Sequence, residues 1–113
     1  RTLCKEIYKI SYKAPLKNDF ALRNQITKTA GSVMDNIAEG FERDGNKEFC
    51  QFLSISKASV GKLKSQIYRC FDVPYIDEAL FHRLYEEADL ISKMIGSLLN
   101  KLKNSPYKGK KYK

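Results

Sequence analysis

The chain has 113 residues, 42% of them apolar, which is enough for one small domain with its own core. Its 21 Lys and Arg residues against 13 Asp and Glu give a formal charge of +8, which favours an anionic partner such as nucleic acid or an acidic protein surface. No apolar run is long enough to cross a bilayer, so we expect no membrane-spanning helix.

Two apolar series predict the first two helices. The first series has helical spacing and should end at Pro15, and it consists of Leu3, Ile7, Ile10 and Ala14. The second follows Asn18 or Asp19, either of which can cap a helix, and it consists of Phe20, Leu22, Ile26, Ala30, Val33 and Ile37. Because the connection between the two series is short, we expect the two helices to be antiparallel.

The stretch DNIAEGFERDGNKEF, residues 35–49, interrupts this apolar pattern. Phe41 lies four residues after Ile37 and is predicted to continue the buried face, so the second helix should run to about Arg43 or Asp44. Gly40 then lies inside the helix, where glycine costs about 1 kcal/mol relative to alanine. This position indicates a close approach by another helix of the same chain or of a neighbouring subunit.

The end of the same stretch has the composition of a helix terminus and a turn. Glu39 and Arg43 have the spacing of an ion pair along a helix. The three residues Asp44, Gly45 and Asn46 predict a turn, with a positive φ at Gly45 and with Asn46 as the cap of the next helix. On this interpretation the stretch is both a joint and a packing surface.

Two longer helices complete the predicted fold. The third should bury one face over about six turns, formed by Phe49, Leu53, Ser56, Val60, Leu63, Ile67 and Cys70. Asp77 is the predicted cap of the fourth helix, whose apolar residues alternate at intervals of four and three: Leu84, Ala88, Ile91, Ile95, Leu98 and Leu102. Asn104, Ser105 and Pro106 should end it. The expected fold is therefore all-α, an antiparallel up-and-down four-helix bundle over residues 1–104, followed by a basic tail at 105–113.

Several short motifs in this chain resemble the signature of a bacterial four-helix-bundle family. They are NIAEGF at 36–41, Arg43, KEF at 47–49, FL at 52–53 and the small pair Ala58-Ser59. The family includes proteins encoded in intervening sequences of large-subunit ribosomal RNA genes and the accessory protein of diversity-generating retroelements. The resemblance runs from Leu3 to about Leu102.

The resemblance implies an up-and-down bundle with a basic surface, often assembled as a pentameric ring. It also implies nucleic-acid binding by the retroelement members, which work alongside a reverse transcriptase. Six motif residues are expected to serve packing inside the fold or between subunits: Asn36, Glu39, Gly40, Phe41, Phe49 and Ser59. The chain departs from the family pattern at Ala58 and Lys62, where Gly and Glu are usual, and the second change adds positive charge to the third helix.

The sequence contains little that would support catalysis. His82 is the one histidine, and a single surface histidine is far more often solvated than a general base. The Glu-x-x-His spacing of di-iron bundles does not occur, and Cys4, Cys50 and Cys70 are too far apart for a zinc site or a redox pair. We therefore expect no enzyme activity, metal or cofactor, and we expect a reducing, cytoplasmic location.

Binding of nucleic acid has better support, because the third helix has no acid between Glu48 and Asp72. Its cations, with two more at the preceding corner, are the candidate phosphate contacts: Arg43, Lys47, Lys57, Lys62, Lys64 and Arg69. A solvated helix face is the alternative interpretation of these residues. Five tyrosines could stack on bases, although packing at helix interfaces is the commoner use: Tyr8, Tyr12, Tyr68, Tyr107 and Tyr112.

These observations predict a non-catalytic bundle that associates with itself and binds RNA or DNA through phosphates with little sequence preference. The resemblance implies that the assembly is a pentamer. Five copies of a +8 chain would carry a charge of about +40, enough to hold a phosphate backbone. The alternative is a structural scaffold for an unidentified protein partner. Competition with nucleic acid across a salt series separates the two hypotheses.

Overall fold

The computed structural model describes residues 1–104, and they form four α-helices and one 3-10 turn. The helices are α1 (Thr2–Ser11), α2 (Phe20–Phe41), α3 (Asn46–Asp72) and α4 (Glu78–Lys103), and the 3-10 turn Leu16–Asn18 lies between α1 and α2. No strand occurs within residues 1–104, so the predicted all-α class is confirmed. The predicted basic tail, 105–113, and the stop residues Ser105 and Pro106 lie outside the described residues.

Contacts between α2 and α3 show that these helices are antiparallel. An early α2 residue meets a late α3 residue, since Arg69 donates a hydrogen bond to Gln25. A late α2 residue meets an early α3 residue, since the Ser56 hydroxyl donates to the Val33 carbonyl. Helices α3 and α4 are also antiparallel, since Lys57 lies near Gly96 and Tyr68, later in α3, packs near Phe81, at the start of α4. Helix α1 packs against α2 and α4, so the four helices enclose one core.

The core is made of the apolar residues that helical spacing predicts, with some additions. On α3 the predicted face is confirmed from Leu53 to Cys70, and Phe49 is half-buried at its start. Leu16, in the 3-10 turn, is 1% exposed and fills the corner between α1 and α2. The sequence did not indicate this role, because a single buried residue in a turn has no periodicity.

Near its C-terminal end, α4 departs from the predicted spacing of its apolar residues, which alternates between intervals of four and three residues. Leu98 is 38% exposed, whereas its neighbour Leu99 is 8% exposed and belongs to the core. A straight α-helix has 3.6 residues per turn, so its buried face drifts away from a repeat of 3.5 residues. The step of four from Ile95 to Leu99 restores the alignment with the core.

Two helices end a few residues earlier than predicted. Helix α1 ends at Ser11 and not beside Pro15, and Ala14 is exposed. Proline disfavours the helical conformation of the residue before it, which removes Ala14 from the helix. Helix α2 ends at Phe41, with Glu42 as its C-cap, and the Phe41 side chain is 60% exposed and does not continue the buried face.

The turn between α2 and α3 also has a different conformation from the predicted one. Gly45 is extended, with φ −124° and ψ 152°, so the expected positive φ does not occur. Gly45 is itself the N-cap of α3, and Asn46 is the first, buried residue of that helix. The predicted caps of the other two long helices are confirmed, since Asp19 accepts from the Leu22 N–H and Asp77 from the Leu80 N–H.

Candidate nucleic-acid interface

A polar groove of about 460 Å³ lies between α2 and α3 on the surface of the bundle. We call it the α2–α3 groove, and eight side chains line it: Gln25, Lys28, Thr29 and Ser32 from α2, with Ser59, Lys62, Gln66 and Arg69 from α3. Each of these residues can donate a hydrogen bond, three of them are cations, and none of these lining residues is acidic. This set of donors suits an anion with several oxygens.

The floor of the groove is a network of hydrogen bonds between the two helices. The hydroxyls of Ser32 and Ser59 lie 2.9 Å apart, and the Asn36 side chain donates to the Ser32 carbonyl at 2.8 Å and to its hydroxyl at 3.0 Å. Two residues of the family motif, Asn36 and Ser59, are therefore connected through Ser32. The network fixes the register of α2 on α3 beneath the groove.

One end of the groove is closed by Arg69. Its Nη1 donates to Gln25 Oε1 at 2.8 Å, which holds the guanidinium across the gap between α2 and α3. Hydrogen bonds from the Leu22 N–H and the Tyr75 hydroxyl lower the pKa of Asp19, and the positive charge of Arg69 lowers it further. The carboxylate of Asp19 is thus occupied as a helix cap, with the Tyr75 hydroxyl 2.9 Å away.

The other two groove cations have no ion-pair partner within residues 1–104. Lys28 is on α2 and Lys62 is on α3, and both side chains are exposed. The ion pairs of the described chain involve other cations, such as Arg43, Arg83 and Lys93. No ion pair within residues 1–104 therefore neutralises Lys28 or Lys62, whereas Arg69 has the Asp19 carboxylate nearby.

The structure divides the basic residues of α3 between two sides of the helix. Lys62 and Arg69 face the groove beside α2, whereas Lys57 and Lys64 face α4. Lys64 Nζ lies 2.8 Å from Asp89 Oδ1 and 4.9 Å from the centre of the Tyr85 ring. Its hydrogen bond to Asp89 raises the pKa of Lys64. The end of Lys57 packs over Gly96, where an added Cβ would meet Lys57 Cε at 3.3 Å.

The remaining two predicted contact residues lie at the corner between α2 and α3. Arg43 Nη2 is 2.6 Å from Glu39 Oε1, as the spacing predicts, and its guanidinium lies 4.8 Å from the centre of the Phe52 ring. Lys47 is exposed in the first turn of α3. The corner is therefore separate from the α2–α3 groove, and its arginine is held by neighbours in the same chain.

Gly40 provides the close approach that its helical position indicates. A Cβ added there would lie 2.8 Å from Phe52 Cβ and 3.0 Å from Phe49 Cδ1. The partner is thus α3 of the same chain, and the predicted motif residue Phe49 is part of the contact. The ring of the neighbouring Phe41 lies over Phe49 with centroids 5.9 Å apart.

The groups that the sequence offers for catalytic or metal chemistry are the single histidine, the cysteines and the carboxylates. His82 is 60% exposed, 3.6 Å from Glu78 on the same helix. Burial raises the pKa of the Cys70 thiol to about 11, which keeps it protonated and unreactive at neutral pH. Over residues 1–104 no group of three acidic, histidine or cysteine side chains could hold a metal ion, and no helix is both long and apolar enough to span a bilayer.

The α2 side of the groove has a signal in the sequence that apolar periodicity alone does not reveal. Gln25, Thr29, Ser32 and Asn36 are spaced by four, three and four residues, so they form a polar stripe beside the apolar face of α2. A matching stripe on α3 consists of Ser59, Lys62, Gln66 and Arg69. Which stripe faces which is decided by tertiary packing, and spacing within one helix does not predict it.

Comparison with known proteins places this fold in a family. A search of curated proteins finds no match. A crystal structure of a protein of unknown function from the S23 ribosomal protein family of Bacteroides thetaiotaomicron is similar in fold, with a TM-score of 0.77, 18% identity and coverage of 85% of this chain and 87% of that chain. Residues 1–97 match the family described as 23S rRNA-intervening sequence protein. The chain belongs to the 23S rRNA-intervening sequence protein family.

Proposed function

We propose that this protein is a non-catalytic, self-associating helical bundle of the bacterial cytoplasm that binds nucleic acid through backbone phosphates. The observation that carries the proposal is the α2–α3 groove, where Lys28, Lys62 and Arg69 surround a floor of hydroxyl and amide groups. Phosphate oxygens accept hydrogen bonds from all these groups, and a cation without an internal partner gains most from a phosphate.

Little sequence preference follows from the chemistry of the groove. Contacts to phosphate fix the position of a protein on nucleic acid but carry no direct information about the base sequence. The net charge of +8 adds a long-range attraction for any polyanion. Affinity should therefore depend on salt much more than on sequence.

An apolar surface on α4 supports self-association. Leu90, Met94 and Leu98 are spaced by four residues and are 58%, 62% and 38% exposed. We call these residues the α4 stripe, and it borders an apolar cleft of about 300 Å³ that Met34 lines from α2. An exposed apolar stripe beside an apolar cleft is typical of a protein–protein contact. A second copy of the chain is the proposed occupant, and the family resemblance suggests a pentamer.

The same α4 stripe favours the scaffold hypothesis, in which the bundle binds another protein and ignores nucleic acid. The two functions differ in their response to competition. A nucleic-acid binder should hold RNA at physiological salt and release it steeply as salt rises, whereas a protein scaffold should not bind RNA at physiological salt.

The experiment is fluorescence anisotropy of a labelled structured RNA with the purified protein over a salt series, repeated with duplex DNA. The proposal predicts binding to both ligands, with a steep loss of affinity on going from 50 mM to 200 mM salt, on the order of a thousandfold if six phosphates are contacted. Absence of binding at low salt would reject the proposal and leave the scaffold hypothesis.

A further inference from the structure

A second exposed surface of unusual composition lies at the corner between α1 and α2. We call it the aromatic corner, and it consists of Tyr8 and Tyr12 at the end of α1 with Phe20 and Arg23 at the start of α2. The three rings are 41%, 60% and 63% exposed in the order Tyr8, Tyr12, Phe20. A cluster of large apolar rings in contact with water is a common mark of a binding surface.

The aromatic corner is ordered by its own contacts. The rings of Tyr8 and Tyr12 are nearly parallel, with an interplanar angle of 21° and centroids 6.4 Å apart. The Arg23 guanidinium carbon lies 4.8 Å from the centre of the Phe20 ring and 6.0 Å from that of Tyr12. Arg23 also donates to the Lys17 carbonyl at 3.2 Å, so the cation stays among the rings.

The other exposed tyrosine of the described chain has a packing role. Tyr68 packs near Phe81 and Tyr85 between α3 and α4, with centroids 4.8 Å and 5.2 Å away. The rings of the aromatic corner are instead packed on one another and on Arg23, at the surface. Core packing therefore does not explain the aromatic corner.

Positive charge continues along α1 from the aromatic corner. Tyr8 and Tyr12 line an open cleft of about 760 Å³ together with Lys5 and Lys9. Among the described residues that line this cleft, Glu6 alone is acidic, and its carboxylate lies 2.9 Å from Arg83 of α4. The cleft thus combines aromatic faces with cations that remain available.

We infer that the aromatic corner is a base-stacking platform and that the nucleic acid which this protein prefers is single-stranded; this inference rests on the proposed phosphate binding. Aromatic rings beside cations hold a strand by stacking on its bases while the cations hold its phosphates. In a duplex the base faces are already stacked on one another, so a surface ring cannot reach them.

The test compares a labelled 12-nucleotide oligouridine with a blunt RNA duplex of the same length, at one salt concentration and then over a salt series. The wild type should bind the single strand more tightly. The double variant Tyr12→Ala/Phe20→Ala should lose about ten- to hundredfold in affinity for the single strand, with little change for the duplex. Because no charge is removed, the dependence of affinity on salt should stay the same.

Two further variants control for structure and for ring chemistry. Phe41→Ala removes another exposed ring, at the opposite end of α2, and should leave the affinity for the single strand unchanged. Tyr12→Phe keeps the stacking face and should also bind as the wild type does. Thermal unfolding of every variant shows whether the fold is kept, which we expect because Tyr12 and Phe20 are largely exposed.

The possible results separate this inference from the proposed function. Equal affinity for single strand and duplex, unchanged in the double variant, would overturn the stacking platform, and a steep salt dependence in the same data would leave phosphate binding intact. No binding of either RNA at low salt would overturn both. A preference for the single strand that disappears in the double variant would support both.

Discussion

At the scale of single residues, Gly40 offers the sharpest test of packing. Replacing Gly40 with Ala improves helix propensity by about 1 kcal/mol, but the new Cβ would meet Phe52 Cβ at 2.8 Å. Since a Cβ cannot swing aside as the end of a side chain can, α2 and α3 would have to separate. We expect Gly40→Ala to lower the free energy of unfolding by about 1–3 kcal/mol, measured by urea denaturation.

Gly31 is the matched control for this prediction. It lies in the same helix, and a Cβ added there has no atom within 4 Å. Gly31→Ala should therefore raise the free energy of unfolding, by up to about 1 kcal/mol, through helix propensity alone. If both substitutions stabilise the protein equally, the close approach of Phe52 to Gly40 is wrong.

Glu87 on α4 gives a prediction about pH. Burial raises the pKa of its carboxyl group, and the nearby carboxylate of Glu6 on α1 raises it further. A carboxyl group whose pKa is higher in the folded state stabilises the fold most when it is protonated, below its unfolded pKa. That contribution is lost as the pH rises through the folded pKa.

Glu87→Gln should consequently raise the free energy of unfolding at pH 7 by roughly 0.5 kcal/mol, because the glutamine has no charge to repel Glu6. The midpoint of thermal unfolding should rise with it. The difference from the wild type should shrink as the pH is lowered to 4, where the wild-type carboxyl group is increasingly protonated. Thermal melts at a series of pH values measure both quantities. A difference that grows toward low pH would contradict the assigned direction of the pKa shift.

At the scale of helices, periodicity predicted the elements well and their ends less well. The buried face of α3 and the caps Asp19 and Asp77 follow from local chemistry, since apolar spacing and side-chain capping act within one helix. The predictions for Phe41 and Gly45 were wrong, because the end of α2 depends on how α3 returns across it. Phe49 and Phe52 pack directly against Gly40, whereas the Phe41 ring packs on Phe49 at the surface.

The candidate site was harder to predict than the helices. The lack of acids on α3 indicated a basic surface, but Lys57 and Lys64 turn toward α4 while Lys62 and Arg69 turn toward α2. The groove needs Lys28 and the polar stripe of α2 as well, and only tertiary packing brings those residues to α3. The aromatic corner similarly depends on how α1 meets α2.

Ser56 tests the polar contact between α2 and α3. Its buried hydroxyl donates to the Val33 carbonyl at 2.8 Å, which ties the two helices beside the core. Ser56→Ala removes this bond and should lower the free energy of unfolding by about 1 kcal/mol. Ser54→Ala, on the exposed side of the same helix, should change it by less than about 0.5 kcal/mol in urea denaturation. Equal effects of the two variants would show that the bond contributes nothing.

At the scale of the whole molecule, one slender bundle measuring 50 × 21 × 18 Å presents three surfaces. The α4 stripe is apolar, the α2–α3 groove is polar and basic, and the aromatic corner combines rings with cations. The cleft beside the α4 stripe and the cleft beside the aromatic corner share Arg1, Cys4 and Met34, so a copy bound to the first would border the second. The α2–α3 groove shares no lining residue with either cleft, and it stays open to a nucleic-acid strand when copies associate through α4.

Self-association through the α4 stripe predicts a mass well above the 13.0 kDa of one chain, and a pentamer would have about five times that mass. Met94→Lys places a charge in the contact and should shift the mass measured by light scattering toward the monomer. Asn100→Lys adds the same charge on another side of α4 and should leave the mass unchanged. A monomeric wild type would reject the assembly.

The central claim, that phosphates bind in the α2–α3 groove, is tested most directly by removing its three cations together. The groove variant is Lys28→Ala/Lys62→Ala/Arg69→Ala. The control, called the α4 variant, is Lys57→Ala/Lys93→Ala/Lys101→Ala, which removes three cations on the α4 side. Both variants lower the net charge of +8 by three. In RNA anisotropy over a salt series, the groove variant should lose most of the affinity for RNA. The slope of the logarithm of its binding constant against the logarithm of salt concentration should fall in magnitude by about 3. The α4 variant should stay close to the wild type in both quantities. Equal weakening of both variants would contradict a defined groove and indicate diffuse attraction by net charge.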